Sequence, residues 1–234
     1  MNYLLVLILG LIWGFLAYRV SEFYATNLEQ HWKSGQLKLH RMLITMISEL
    51  RKNKSHFKPK PQMFFYALLS ALVVTGFYHL IVFHNWPSLL ILLPLMLILL
   101  SVIDIRSKLL PNQFTYPLTV LGLIFNYAFS FVSLKNALLG LIVGFLLPYL
   151  LNRLYVVVRK KTGMGLGDAK LYAGIGAWLG VYYLLTIYII ASIINLITIL
   201  TIAMRGQFKL DSYLAYGPTI SIATLLSLTL IPLI

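Results

Sequence analysis

The sequence predicts an all-α polytopic membrane protein, and composition and run length carry that prediction. Of the 234 residues, 60% are hydrophobic and only 11% are charged, against roughly 45–50% and 25% in soluble domains. The apolar residues also fall in long runs, most of them near the roughly 17–25 residues that an α-helix needs to cross a bilayer. The chain has no cysteine, so a disulfide framework and a thiolate metal site are excluded.

About eight transmembrane helices are predicted from these runs. The first run, 3–17, does not resemble a signal peptide, because no basic residue precedes it and no small-residue cleavage site follows it. It is interpreted as a retained span. The run 168–204 is too long for one span, and Gly180 is the predicted break. The predicted spans are 3–17, 63–83, 87–103, 114–133, 137–158, 168–181, 183–204 and 217–234.

The basic residues predict the topology, because Lys and Arg are retained on the cytoplasmic side of a membrane. Nine of the 19 lie in segment 19–62, and most others lie in the connections 104–113, 159–170 and 205–216. The alternate connections contribute only Lys135. This pattern predicts that both termini are periplasmic and that a basic cytoplasmic loop follows the first span. The net charge of +13 is then a topology signal, and no nucleic-acid partner is expected.

The six acids separate into two groups. Four are explained by basic neighbours or by a polar connection: Glu22, Glu29, Glu49 and Asp211. Asp104 and Asp168 remain, each at the end of an apolar run and separated by two predicted spans. An even number of crossings returns the chain to the same side, so these carboxylates are predicted to meet at the cytoplasmic boundary. Taken singly, Asp168 suits a helix N-cap, and Asp104 suits a solvated charge near Arg106.

Two facing carboxylates have a familiar chemical use. When they are held within about 3 Å they share one proton, so that the pair acts as base and acid together. This arrangement suits peptide hydrolysis, in which one carboxylate activates water and the other stabilises the oxyanion. Three glycines precede Asp168, and we interpret Gly163, Gly165 and Gly167 as an active-site loop that bends sharply and admits a ligand backbone.

Three segments resemble those of the type IV prepilin leader peptidases. GMGLGDAKL at 163–171 is similar to the family's GxGD signature, and SVIDIRSKLLPNQFTYPLTVLGL at 101–123 is similar to its other aspartate segment. AYGPTISI at 215–222 resembles the FGP segment that opens the last helix of these enzymes. The three segments occur in the family's order.

The resemblance implies an aspartic endopeptidase (prepilin peptidase) of the bacterial inner membrane, working without a metal. It would cut the short basic leader from type IV prepilins or type II secretion pseudopilins on the cytoplasmic side. Its catalytic residues would be Asp104 and Asp168. Its partners would be these precursors and membrane lipids. The expected supporting residues are Lys170, Pro111, Asn112, Gly217 and Pro218.

The N-terminal region departs from the family pattern. Many members carry four cysteines in the first cytoplasmic loop, and here there is none, so no zinc is expected. Residues 1–62 are interpreted as a first span with a cysteine-less, methyltransferase-like loop, and residues 63–234 as the peptidase domain. Proteolysis needs no cofactor; S-adenosylmethionine would be used only if N-methylation of the new N-terminus is retained.

Three alternatives stay open on the sequence. An ion-coupled transporter would place acids or broken helices at the bilayer midplane, often in repeated halves. A non-catalytic pilus-assembly protein would not need the two aspartates. A presenilin-type protease shares GxGD but pairs it with a tyrosine-aspartate, whereas Ile103 precedes Asp104.

Overall fold

The computed structural model describes residues 2–32, 60–160, 165–205 and 215–230, apart from the side chains of 26–32 and 159. These residues form seven α-helices and one short 3-10 helix, Ser88–Ile91. The α-helices are α1 Tyr3–Trp32, α2 Pro61–Phe83, α3 Leu92–Ser107, α4 Asn112–Phe129, α5 Leu134–Arg159, α6 Leu166–Met204 and α7 Gly217–Leu230. The prediction of an all-α protein is confirmed.

Among the described residues, five helical segments are long and apolar enough to cross a membrane: Tyr3–Ala25, Pro61–Phe83, Ser88–Ser107, Leu134–Val158 and Leu166–Met204. A shorter apolar helix, Gly217–Leu230, follows them. The predicted limits of the first span are wrong, because α1 continues without a break to Trp32. Residues 19–32 of the predicted basic loop are therefore helical, and residues 33–59 lie outside the described part of the chain. The division into domains at residue 62 stays a prediction.

Helix α6 folds back on itself at Gly180. This residue has φ 78° and ψ 179°, a conformation essentially restricted to glycine. The rings of Tyr172 and Tyr188, eight residues on either side, have centroids 4.3 Å apart, whereas a straight helix would separate them by about 24 Å. The halves 166–179 and 181–204 therefore pack against each other as an antiparallel pair.

Two asparagines satisfy the backbone groups that this break exposes. The Nδ2 of Asn126, in α4, donates to the carbonyl oxygens of Ala177 at 2.8 Å and Trp178 at 2.9 Å. The Oδ1 of Asn136, in α5, accepts from the backbone N of Val181 at 2.9 Å. The break is thus bonded on both sides, as buried backbone groups require.

The first half of α6 lies at the centre of the bundle. Every residue from 171 to 180 is buried, as expected of a helix that is apolar on all sides. Gly140 and Gly176 bring α5 and α6 into close backbone contact. The indole Nε1 of the fully buried Trp178 donates to the carbonyl of Leu118 in α4 at 2.8 Å. Helices α4, α5 and α7 surround this central segment.

Helices α1, α2 and α3 pack together on the other side of the molecule. Gly10 and Gly14 of α1 lie directly against the backbone of α2, where a Cβ would stand within 2.6 Å of Ala71 and 2.5 Å of Tyr66. The indole Nε1 of Trp13 donates to the carbonyl of Leu95 in α3 at 2.7 Å. Helix α3 also contacts α7, so it joins the two sides of the bundle.

Candidate active site

Three helix ends converge on the two aspartates singled out in the sequence. Asp104 lies in the last turn of α3, which ends at Lys108 in a left-handed conformation (φ 52°). Asp168 lies in the first turn of α6. The first residue of α7, Gly217, lies against Asp104. Both aspartates are almost completely buried, with exposed fractions of 4% and 7%.

Each carboxylate is held by the N-terminus of a helix. The Oδ2 of Asp104 accepts from the backbone N of Gly217 at 2.7 Å, and the Oδ2 of Asp168 accepts from the backbone N of Gly165 at 3.2 Å. Helix N-termini carry unpaired N–H groups and partial positive charge, so they stabilise carboxylates. Each Oδ1 has no hydrogen bond from the described residues and is left for a proton, water or substrate.

The two carboxyl groups also act on each other. Asp104 and Asp168 lie within Coulombic range, although α3 and α6 are far apart in sequence. Tyr216 lies near both aspartates. The backbone N of the next residue, Gly217, donates to Asp104, and the charge of Asp168 acts on the Tyr216 hydroxyl. Burial raises the pKa of Tyr216, and Asp168 adds to this effect. Tyr216 was not among the predicted site residues, and only its place before Gly217 hinted at it.

The glycines before Asp168 differ from their predicted role. Gly165 is the N-cap of α6 with φ −72° and ψ 146°, values open to any residue, so the chain does not need a glycine to bend there. Asp168 itself occupies the third helical position and reaches back to Gly165. Gly167 is required by packing, because a Cβ there would lie 2.9 Å from the Cβ of Leu110. Gly163 lies outside the described residues.

The other predicted site residues support the helix ends rather than the carboxylates. The Nζ of Lys170 donates to the Oδ1 of Asn112 at 2.6 Å and lies 5.3 Å from the Tyr116 ring, which ties α6 to the start of α4. Pro111 is the N-cap of α4, where its carbonyl accepts from two backbone N–H groups. Pro218 lies in the first turn of α7, where its missing N–H carries no cost.

The fold and this site define a helical protein with several candidate membrane spans and a buried pair of carboxylates at one end of the bundle. Residues 91–200 match the type IV leader peptidase family. The part of the chain that carries both aspartates is therefore similar to that family.

Curated relatives agree with this match. A Neisseria gonorrhoeae protein named prepilin leader peptidase/N-methyltransferase is 37% identical over 134 residues, which cover 57% of this chain and 45% of that protein. A protein of the same name from Pectobacterium carotovorum subsp. carotovorum is 38% identical over 139 residues, 58% of this chain and 48% of that protein. The chain spans about half the length of these relatives. No solved structure gives a significant match.

Proposed function

We propose that this protein is a membrane aspartic endopeptidase that removes the short basic leader from type IV prepilins or type II secretion pseudopilins. One observation carries the proposal: two buried aspartates from different helices, Asp104 and Asp168, lie within Coulombic range in the segment that matches the leader peptidase family. The curated relatives are named for the same activity.

The geometry suits a shared proton. Each aspartate is anchored through Oδ2 by a helix N-terminus, so the two groups are held in place before substrate binds. The ionised carboxylate removes a proton from water as the water oxygen attacks the scissile carbonyl carbon. The protonated carboxyl donates a hydrogen bond to the developing oxyanion. The proton taken from water then passes to the leaving amine as the C–N bond breaks.

The proposed setting is the bacterial inner membrane, with eight crossings, both termini in the periplasm and the aspartates on the cytoplasmic side. Splitting α6 at Gly180 makes the eighth crossing. Asp104, Asp168 and Gly217 lie at one end of the bundle, and so do most basic residues of the described part of the chain. Since basic residues mark the cytoplasmic face, the substrate helix would enter from the membrane with its leader in the cytoplasm.

We assign no methyl-transfer step to this chain. S-adenosylmethionine presents a sulfonium and an ammonium cation. A cleft between the described N-terminal helices has Arg106 as its charged lining residue, and no acidic side chain lines it to pair with these cations. The family match begins at residue 91, beyond α1 and α2. Mass measurement of the mature product with S-adenosylmethionine present is expected to show no added methyl group.

The peptidase proposal is tested with purified full-length protein and a prepilin-type precursor. Asp104→Asn and Asp168→Asn are expected to lower the cleavage rate by roughly 10³-fold or more, because an amide cannot supply the base or the shared proton. Each asparagine Oδ1 still accepts the hydrogen bond from Gly217 or Gly165, so the fold is expected to survive.

Glu22→Gln is the matched control, since it makes the same acid-to-amide change at a carboxylate bonded to Lys60. It is expected to cleave at the wild-type rate. Wild-type cleavage by either aspartate variant would reject the mechanism and favour a non-catalytic assembly protein. Proton-coupled uptake that depends on the aspartates, in the absence of cleavage, would instead support a transporter.

A further inference from the structure

A second polar site lies on the opposite side of α3 from Gly217. It is a cleft of about 650 Å³ between the ends of α1, α2 and α3, lined by Ala25, Pro61, Gln62, Phe65, Tyr66, Ile105 and Arg106. This volume is within the range of ligand sites, about 300–1,000 Å³. Arg106 follows Asp104 by two residues, or about 200° around the helix, so the cleft and the aspartate pair occupy different faces of α3.

Arg106 is the charged wall of this cleft. Its guanidinium carbon lies 4.5 Å from the ring centroid of Tyr18, and no carboxylate among the described residues forms an ion pair with it. A guanidinium carries five donors in a planar fork that matches a phosphate or a carboxylate. The ring of Tyr18 therefore holds the Arg106 guanidinium at the cleft, where its N–H groups can donate to a ligand.

Tyr18 holds Arg106 from behind the cleft. The side chain is 1% exposed, and it is not among the residues that line the cleft. Its ring packs against two lining residues, Arg106 and Tyr66, the latter at 5.8 Å between centroids. The buried ring therefore fixes the guanidinium at the cleft and does not itself reach a ligand there.

The charges around the cleft select an anion. Lys60 precedes the lining residue Pro61, and its Nζ lies 2.6 Å from the Oε1 of Glu22. The hydrogen bond and the charge of Glu22 raise the pKa of Lys60. Arg19 bonds the other oxygen of Glu22. Two basic side chains, Lys60 and Arg19, thus share one carboxylate, and Arg106 adds a third positive charge beside the cleft.

The remaining lining residues select the rest of the ligand. Phe65, Ile105 and Ala25 make the walls apolar, which suits acyl chains rather than a free ion. The connecting residues 33–59 carry seven basic residues and one acid, so charge repulsion makes them a poor occupant. Basic pockets between membrane helices on the cytoplasmic side suit anionic lipid headgroups.

We propose that this cleft binds the phosphate headgroup of an anionic phospholipid, with Arg106 as its donor and Lys60 as a further cation. This site does not depend on the proposed peptidase activity.

Binding is tested on the purified, delipidated full chain by native mass spectrometry. The probes are phosphatidylglycerol and phosphatidylcholine with identical acyl chains, and inorganic phosphate alone. The wild type is expected to prefer phosphatidylglycerol by about tenfold, because phosphatidylcholine carries the same phosphate but adds a choline cation, which Arg106 and Lys60 repel. Arg106→Ala is expected to remove the preference, and Arg106→Lys, which keeps charge without the fork, to retain part of it.

Arg153→Ala is the matched control, since Arg153 also stacks on a tyrosine, at 5.3 Å from the Tyr149 ring, but on α5. It is expected to keep the full preference. Arg106→Gln removes only the charge from a side chain of similar length and is expected to remove the preference, which tests the site even if Arg106→Ala fails to fold. Equal binding of the two lipids, or an unchanged preference in Arg106→Ala and Arg106→Gln, would overturn the proposal. Displacement of the lipid by millimolar inorganic phosphate would make it a free-phosphate site.

Discussion

At the residue scale, the position of the Asp104 carboxylate depends on the close approach of the backbone at the start of α7. A Cβ built at Gly217 would lie 2.8 Å from the Oδ2 of Asp104 and 3.1 Å from its Cβ. Such distances are too short for carbon and oxygen atoms that are not bonded to each other. A glycine at the start of α7 is therefore what allows the hydrogen bond that anchors Asp104.

Gly217→Ala is expected to lower cleavage of a prepilin-type precursor by roughly 10- to 100-fold, because the added methyl displaces Asp104, and misplacing a catalytic group by about 1 Å costs up to this much. Gly76→Ala is the control, since nothing lies within 4 Å of a Cβ there. It is expected to leave the rate unchanged and to stabilise α2 by about 0.5–1 kcal/mol. Equal rates for the two variants would show that Asp104 tolerates displacement.

At the element scale, the hairpin in α6 delivers Asp168 to its position. The first half of α6 is buried along its length and holds Asp168 at its start, while the second half returns along it to make the tyrosine contact. Two side-chain amides, the buried Asn126 of α4 and the partly buried Asn136 of α5, bond the two sides of the break. The break at Gly180 is therefore a hydrogen-bonded turn, and its stability depends on these amides.

Asn126→Leu is expected to lower the free energy of unfolding by about 2–4 kcal/mol, because it leaves the carbonyls of Ala177 and Trp178 unpaired in a buried site. Reversible unfolding in mixed detergent micelles measures this change. Thr201→Val is the control, since that exposed hydroxyl bonds within its own helix, and we expect a change below about 0.5 kcal/mol. If Asn126→Leu unfolds like the wild type, the amide is not what closes the break.

At the scale of the whole molecule, the helices alternate between two ends. Contacts at one end join Glu22 to Lys60 and Asp104 to Gly217. Contacts at the other end join the ring of Trp86 to that of Phe131, 5.7 Å between centroids. The aspartates, the proposed lipid cleft and most basic residues of the described part of the chain share the first end, which we propose to be cytoplasmic.

Labelling of single cysteines tests this orientation directly, because the chain has no native cysteine. A membrane-impermeant maleimide added to intact bacteria is expected to label Ser88→Cys and to leave Arg205→Cys unlabelled. Both residues are exposed, and they lie at opposite ends of the proposed topology. Arg205→Cys is expected to react once the inner membrane is permeabilised. The reverse pattern would place the aspartates in the periplasm.

Much of the element order could be predicted from the sequence, because run length and hydropathy reflect the cost of placing polar backbone and charge in lipid. The predicted break at Gly180 coincides with the non-helical residue in α6. The predicted end of the first span at residue 17 was wrong, because α1 continues to Trp32. A helix can extend beyond an apolar run as long as its backbone hydrogen bonds are made, and hydropathy does not detect this.

The sequence by itself determined the all-α class. It also singled out Asp104 and Asp168, because acids are rare in so apolar a chain, and because the even number of predicted spans between them places both on the same side of the membrane. Only the tertiary structure decided how each carboxylate is held. The anchors are backbone N–H groups of Gly165 and Gly217, which every residue but proline possesses, so no side-chain pattern marks them. The roles of Gly167, Leu110 and Tyr216, and the cleft beside Arg106, likewise depend on contacts between helices far apart in sequence, which local composition does not encode.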